Sequence, residues 1–330
     1  MSLPEFEYLS PPDMATACEV LREHGEKVAI IAGGTGLVMH LKRRLKQPQY
    51  LLSLKNLPEL KMLSYDPGSG FTIGAMCTMG KIAANHLIQT KLTSLATAAG
   101  KVASPQIRNM ATIGGNICLD TRCWYFDRTK FWRKSVGPCW KTGGERCHVI
   151  KKSARCYALF QSDTVASLLA LNARVKLVSH AGERMVPLEN IYSGRGEAPH
   201  RVSPEELVSQ IQIPELPARS NTAYVKYRTR DSLEFPILGV ACTVTKDRDG
   251  TSCREARFGI VGHDSKPHLI DATEWVAGLE EPVLADHVLD RLMDSIKPVY
   301  HMGVSASFKK GIARLLVQKA FLASWPGSHS

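Results

Sequence analysis

Apolar and polar positions divide the chain into short elements. Ser10-Pro11-Pro12-Asp13 reads as a helix start, with a capping hydroxyl and prolines near the first turn. Met14, Ala17, Val20 and Leu21 then share one face, and Gly25 stops the helix. Lys27-Val28-Ala29-Ile30-Ile31-Ala32 is a largely apolar run of strand character leading straight into Gly33-Gly34-Thr35-Gly36, after which Leu37, Val38, Leu41 and Leu45 fall on one helical face. Strand-like runs follow at Tyr50 to Leu54 and Phe71 to Ala75, with Asp66-Pro67-Gly68 as a turn between them. Helical patterns cover Met79 to Ile88 and Leu92 to Lys101, and Ser104-Pro105 breaks the chain before Thr112-Ile113-Gly114-Gly115-Asn116. Near the C-terminus, strands are predicted at Tyr224 to Arg228, Leu238 to Thr245 and Cys253 to Val261, then helices at Leu284 to Ile296 and Phe308 to Leu322. Strands followed by helices predict an α+β layer.

One stretch, Cys118 to Cys156, breaks this rhythm. It shows no sustained helical or strand period, and Gly137-Pro138 and Gly143-Gly144 cut it into turns. Five of the nine cysteines lie here, together with ten Lys and Arg against three acidic residues, so it supplies much of the net charge of +11. A long irregular segment inside a compact domain needs something to hold it together. Clustered thiols, odd in number, point to metal or redox use and not to a disulfide framework. Cys118 is expected to be a small buried thiol, and Cys18, Cys77, Cys242 and Cys253 are expected to be structural. Four thiolates suit zinc or an iron–sulfur cluster; the absence of a C-x-x-C pair disfavours a zinc ribbon, and the spacing does not choose further.

The basic surplus raises nucleic-acid binding, but no groove-reading motif accompanies it, so a shell around an anionic group or a landing patch for an acidic protein is expected instead. The N-terminus lacks a basic region followed by an apolar core, and no apolar run could span a bilayer; a cytoplasmic protein with no membrane partner is expected. His40, His86, His180, His263, His268 and His301 show no ligand spacing and are expected at the surface or packed.

Strand, glycine loop, helix aims backbone N–H groups at an anion. Gly33-Gly34-Thr35-Gly36 matches neither the Rossmann fingerprint nor the P-loop. Two such loops in one domain suggest a dinucleotide, which carries two phosphates; a tight turn that needs φ > 0 is the alternative.

Ala32-Gly33-Gly34-Thr35-Gly36-Leu37 with Thr112-Ile113-Gly114-Gly115-Asn116 resembles the paired FAD loops of the flavin subunit in the xanthine oxidase family of molybdenum enzymes. The resemblance runs through Asp163 and Val165 to Ala173, Ile211-Gln212-Ile213-Pro214, Tyr224-Val225-Lys226-Tyr227 and Phe258-Gly259-Ile260-Val261-Gly262. It implies an α+β fold: a PCMH-type (vanillyl-alcohol-oxidase-like) FAD-binding domain of two α/β subdomains over 1–218, and a C-terminal antiparallel sheet with helices over 219–330, like that of CO dehydrogenase flavoproteins. It implies that Ile30 and Ile31, with the two loops, contact FAD, that Asp163 approaches the flavin, and that Val208 and Lys226 line its ring. Gly36 departs from the aspartate of many members, which puts a side-chain hydrogen bond from that position in doubt.

The 119–157 insertion resembles the one in the beta subunits of the 4-hydroxybenzoyl-CoA reductase branch, which carries a [4Fe-4S] cluster; the matching ligands are Cys123, Cys139, Cys147 and Cys156. That branch implies an electron-transfer subunit with no catalytic residue of its own. Electrons would pass from ferredoxin to molybdenum-cofactor and [2Fe-2S] subunits, in a dimer of heterotrimers, for reductive dehydroxylation of 4-hydroxybenzoyl-CoA in anaerobic aromatic degradation. The alternative is the FAD subunit of an oxidising molybdenum hydroxylase acting on an aldehyde, purine or N-heterocycle. A zinc-stabilised nucleic-acid-binding protein is the reading from a different class.

Overall fold

The computed structural model describes residues 2–301 and 303–325. Strands β1 (Glu7–Leu9), β2 (Val28–Ile31) and β3 (Tyr50–Ser53) form a small parallel sheet in the order β1-β3-β2. Strands β4 (Leu63–Asp66), β5 (Gly70–Gly74), β6 (Arg174–Ser179), β7 (Gly182–Pro187) and β8 (Leu207–Ile213) form an antiparallel sheet in the order β4-β5-β8-β6-β7. The third sheet, also antiparallel, takes β9 (Ser220–Tyr227), β10 (Leu238–Lys246), β11 (Cys253–Val261) and β12 (His268–Asp271) in the order β12-β11-β10-β9. Mixed layers with antiparallel sheets agree with the expected α+β class.

Helix α1 (Met14–His24) buries Ala17, Cys18 and Leu21 against Leu52 and Val178; Asp13, not Ser10, caps it, accepting from the Thr16 N–H at 2.8 Å. Helix α2 (Leu37–Lys42) is shorter than the apolar pattern suggests, because Arg44 turns into positive φ before Leu45. The single helix expected over Met79 to Ile88 is two, α3 (Met79–Ala84) and α4 (His86–Lys91). Asn85 sits between them with ψ 121°, and its side chain caps α4 by accepting from the Ile88 N–H at 3.0 Å. After α5 (Thr93–Gly100), Ser104-Pro105 does not only break the chain: Ser104 caps α6 (Pro105–Arg108) with proline at its first position. The second glycine pair lies inside a helical turn, α7 (Ile113–Ile117), whose cap is Thr112.

The cysteine-rich insertion is more ordered than its irregular pattern suggests, since it contains α8 (Lys130–Val136), capped by Thr129 and ended by Gly137 at φ 90°. Helix α9 (Asp163–Ala170) is buried along its whole length. It lies so close to β11 that a Cβ at Gly259 would fall 1.9 Å from the Ala166 carbonyl oxygen. Helices α10 (Thr273–Val276), α11 (Asp286–Ser295) and α12 (Ala306–Ala323) cover the third sheet, packing Leu292, Val317 and Phe321 against Val240 and Phe258. The last five residues of the expected 219–330 domain lie outside the described residues. Among the described residues no helix is long and apolar enough to cross a membrane.

Candidate functional site

The two glycine motifs, 80 residues apart in sequence, meet in space. β2 ends at Ile31 and the chain turns at Gly33, where a Cβ would lie 1.8 Å from the Met110 carbonyl oxygen and 2.6 Å from its carbon. Only glycine permits that backbone-to-backbone approach. Gly34 has φ 71°, a second reason for glycine. Gly36 is different: it has φ −92°, a Cβ there would meet nothing within 4 Å, and it leaves the start of α2 without a side-chain cap. Residues 111–114 in turn pair with the strip that follows β5, through Met79 N–H to Ala111 O (2.8 Å), Ile113 N–H to Cys77 O (2.9 Å) and Gly114 N–H to Ala75 O (2.8 Å). Gly114 cannot carry a side chain either, since a Cβ would lie 2.8 Å from that of Ala75. Gly36 and Gly115 are exposed, as is the Ile30 side chain on the edge strand beside them. A solvent-open floor of tight backbone is what a dinucleotide's phosphates require.

Ala75 also joins this floor to Val208: its N–H donates to Ser209 O at 2.9 Å, and Val208 packs with Ala75 and Leu177. Asn116 leads in another direction. Its Oδ1 accepts from Ser162 Oγ (2.7 Å) and Thr164 Oγ1 (2.6 Å), the residues on either side of Asp163. The Asp163 carboxylate is buried and engaged by Tyr224 Oη at 2.7 Å and Lys226 Nζ at 3.0 and 3.1 Å. Lys226 also donates to the carbonyls of Lys101 (3.0 Å) and Glu234 (2.9 Å). Burial raises the pKa of Asp163 and lowers that of Lys226, and each is opposed by its partner's charge. This pair ties α9 to β9. Breaking it from one side would leave a buried charge uncompensated, a loss of about 3–5 kcal/mol. Two connected groups thus carry the residues expected at the flavin, one around Ala75 and one around Asp163, joined through the turn at Gly114 and Asn116. Tyr224, Ser162 and Thr164 were not expected among them, although Tyr224 and Lys226 lie two apart on one face of a strand and both reach one carboxylate.

The four expected cysteine ligands also converge. Cys123, Cys139, Cys147 and Cys156 line one cleft. Aromatic rings close it: Tyr125, Phe126 and Trp140 are on its wall, and Trp140 Nε1 donates to Ser153 O at 3.0 Å. The sulfurs accept hydrogen bonds, Cys147 from Ile150 N–H and Cys156 from Ala158 N–H at 3.4 Å each, and Cys139 from Thr142 Oγ1 at 3.5 Å. Backbone N–H groups of Phe126 and Tyr125 serve Cys123. Burial pushes the Cys156 thiol up to about 12, with Lys141 opposing and Cys123 and Cys139 adding to it. Gly196 closes over this sulfur; a Cβ there would lie 2.9 Å from Cys156 Sγ and 2.8 Å from Ala158 N. Among the described residues no group of three or more His, Cys, Asp or Glu side chains is placed to hold a metal ion. Each of the four sulfurs is served by a donor, and a four-thiolate set suits zinc and an iron–sulfur cluster alike.

Lys141 is the buried cation of this wall, and the sequence pattern does not single it out. Its Nζ donates to Asp120 Oδ1 (2.7 Å), Thr121 Oγ1 (2.8 Å) and Gly196 O (2.7 Å). Cys118, expected to be a small buried thiol, follows the last turn of α7 and is exposed as a residue, but burial pushes its thiol up to about 11. Cys18, Cys77, Cys242 and Cys253 are buried, as expected of structural thiols. Of the histidines expected at the surface or packed, His263 is fully buried against His268.

Residues 4–216 match the model of the FAD binding domain in molybdopterin dehydrogenase. The aldehyde oxidoreductase FAD-binding subunit of Escherichia coli is 31% identical over 89% of both chains. The 6-hydroxypseudooxynicotine dehydrogenase complex subunit alpha of Paenarthrobacter nicotinovorans is 26% identical over 97% of this chain and 94% of that one. Among solved structures, carbon monoxide dehydrogenase of Hydrogenophaga pseudoflava superposes with a TM-score of 0.78 at 23% identity, over 98% of this chain and 99% of that one. Quinoline 2-oxidoreductase of Pseudomonas putida 86 gives 0.79 at 21%, over the full length of both chains. These two likenesses carry the fold, a PCMH-type FAD-binding domain with a CO dehydrogenase-like arrangement.

Proposed function

Since the chain belongs to the family of FAD-binding domains in molybdopterin dehydrogenases, we propose that it is the flavin and iron–sulfur subunit of a complex of the 4-hydroxybenzoyl-CoA reductase type. The coarser statement, an FAD subunit of a molybdenum hydroxylase, follows from the family and its relatives. In the finer reading the subunit takes electrons from ferredoxin and delivers them to [2Fe-2S] and molybdenum-cofactor subunits, where 4-hydroxybenzoyl-CoA loses its phenolic hydroxyl. The single observation that supports it is the convergence of four cysteines from an insertion of about 40 residues on one cleft beside the FAD floor.

FAD would be held by Ile30 to Leu37 and by Thr112 to Asn116, with Val208, Asp163 and Lys226 placed behind them. When bound, it supplies exchange between one- and two-electron chemistry. Gly33 and Gly114 keep the turns close enough together to share a diphosphate, and Asn116 holds the second turn to α9. A [4Fe-4S] cluster would be held by Cys123, Cys139, Cys147 and Cys156. The ten Arg and Lys residues of the insertion favour a partner of acidic surface.

A second reading, an oxidising hydroxylase subunit, is favoured by the relatives, whose names are those of aldehyde, nicotinate and carbon monoxide oxidoreductases. Serine substitution separates the two: Cys139→Ser and Cys147→Ser proteins should lose iron and keep flavin. Full iron content in either one, measured anaerobically, refutes the cluster reading.

A further inference from the structure

We propose that Lys141 is a positioning residue whose fixed ammonium sets the reduction potential of the centre held by Cys123, Cys139, Cys147 and Cys156, with Asp120 as the opposing charge that tethers it to the flavin floor. The inference rests on the reading of the cleft as a cluster site.

The insertion is rich in cations, and half of the ten stand in solvent: Lys130, Lys134, Arg146, Lys151 and Lys152 are exposed. Water and salt screen such charges within about 8–10 Å. Arg122 and Arg155 have side chains 25% and 31% exposed, whereas that of Lys141 is 4% exposed, two residues after Cys139 and on the cleft wall. Three acceptors hold its Nζ at 2.7–2.8 Å, so the charge has a fixed position. One of them, the Gly196 carbonyl, belongs to the residue that packs directly on Cys156 Sγ. The same carbonyl accepts from Thr121 Oγ1 at 2.5 Å, which locks the arrangement further. Nζ also lies 5.0 Å from the centre of the Phe126 ring, another wall of the cleft.

The other end of the network points to the flavin floor. Asp120 follows Asn116 by four residues, and its second oxygen lies 4.0 Å from His40 Nδ1 on α2, the helix that starts at the first glycine turn. Lys141 and Asp120 therefore span the ground between the two candidate cofactor sites. A one-electron reduction adds negative charge to a thiolate cluster, so a buried cation beside it favours the reduced form and a buried anion the oxidised form.

Redox titration of the purified complex, followed by the EPR signal of the reduced cluster, tests this. Lys141→Gln should lower the midpoint potential, Lys141→Arg should hold it near the wild-type value, and Asp120→Asn should raise it. Unchanged midpoints in Lys141→Gln and Asp120→Asn, with iron and flavin retained, overturn the inference. Should Lys141→Gln lose its iron, Asp120→Asn decides alone, because it leaves the ammonium and its Thr121 and Gly196 acceptors in place. A wild-type complex without the cluster signal and without its iron is a separate result: it overturns the cluster reading, and this inference with it.

Discussion

Gly33→Ala is the sharpest test of how the glycine turns are built. The new methyl carbon would start 1.8 Å from the Met110 carbonyl oxygen. An ordinary carbon–oxygen contact is about 3.3 Å, so one backbone or the other must retreat by about 1.5 Å. Neither partner is a side chain that could rotate away. Overpacking of this kind costs about 1–3 kcal/mol. If that cost falls on the geometry of the cofactor floor, FAD affinity drops roughly 5- to 150-fold. Gly311→Ala on α12 is the control: a Cβ there meets nothing within 4 Å and the residue lies outside the glycine turns, so less than about a twofold change is expected. Flavin content after gel filtration, and titration of the deflavinated protein with FAD, read both variants. Equal affinity in Gly33→Ala and wild type, or equal damage from Gly33→Ala and Gly311→Ala, would refute the reasoning.

Two other predictions act on separate parts of the molecule. Gly196→Ala places a methyl group 2.9 Å from Cys156 Sγ and 2.8 Å from a backbone nitrogen; it should lower iron content while flavin stays at the wild-type level, and loss of both together would show that the two sites are not independent. Burial holds His200 and His301 at about 4, below the ordinary 6.5. The unfolded chain therefore binds more protons between those values, and stability falls as the pH drops through that window. At pH 5 each histidine should cost about 2 kcal/mol relative to pH 8, visible as a lower urea midpoint; equal midpoints at the two pH values would contradict this.

The elements legible in the sequence are those whose local pattern and tertiary position agree. Leu238 to Thr245 and Cys253 to Val261 read as strands because the first is apolar, the second ends in the apolar Phe258 to Val261, and a Lys-Asp-Arg-Asp-Gly turn separates them; they pair as β10 and β11 with one irregularity at Thr245/Lys246. The β6–β7 hairpin is not legible in this way. β7 begins Gly-Glu-Arg and is largely exposed, so it offers no apolar run, and the turn at His180-Ala181 lacks an Asn-Gly signal. The glycine motifs are visible as motifs, but their contact through Met110 is not, since nothing local encodes an 80-residue closure. The same holds for Asp163 with Lys226, 63 residues apart. In the insertion, cysteine chemistry can be read without a fold. Lys141 cannot be distinguished from nine other cations, because what singles it out is burial beneath Gly196 and Asp120, and that belongs to the tertiary structure alone.

The account depends on two redox groups held side by side in one chain, and counting them is the direct measurement. Purified anaerobically, the subunit should show flavin absorbance and carry one FAD with about four iron and four sulfide ions. A protein with flavin and no iron would leave only the FAD subunit of a molybdenum hydroxylase, and a colourless protein binding zinc would contradict the account altogether.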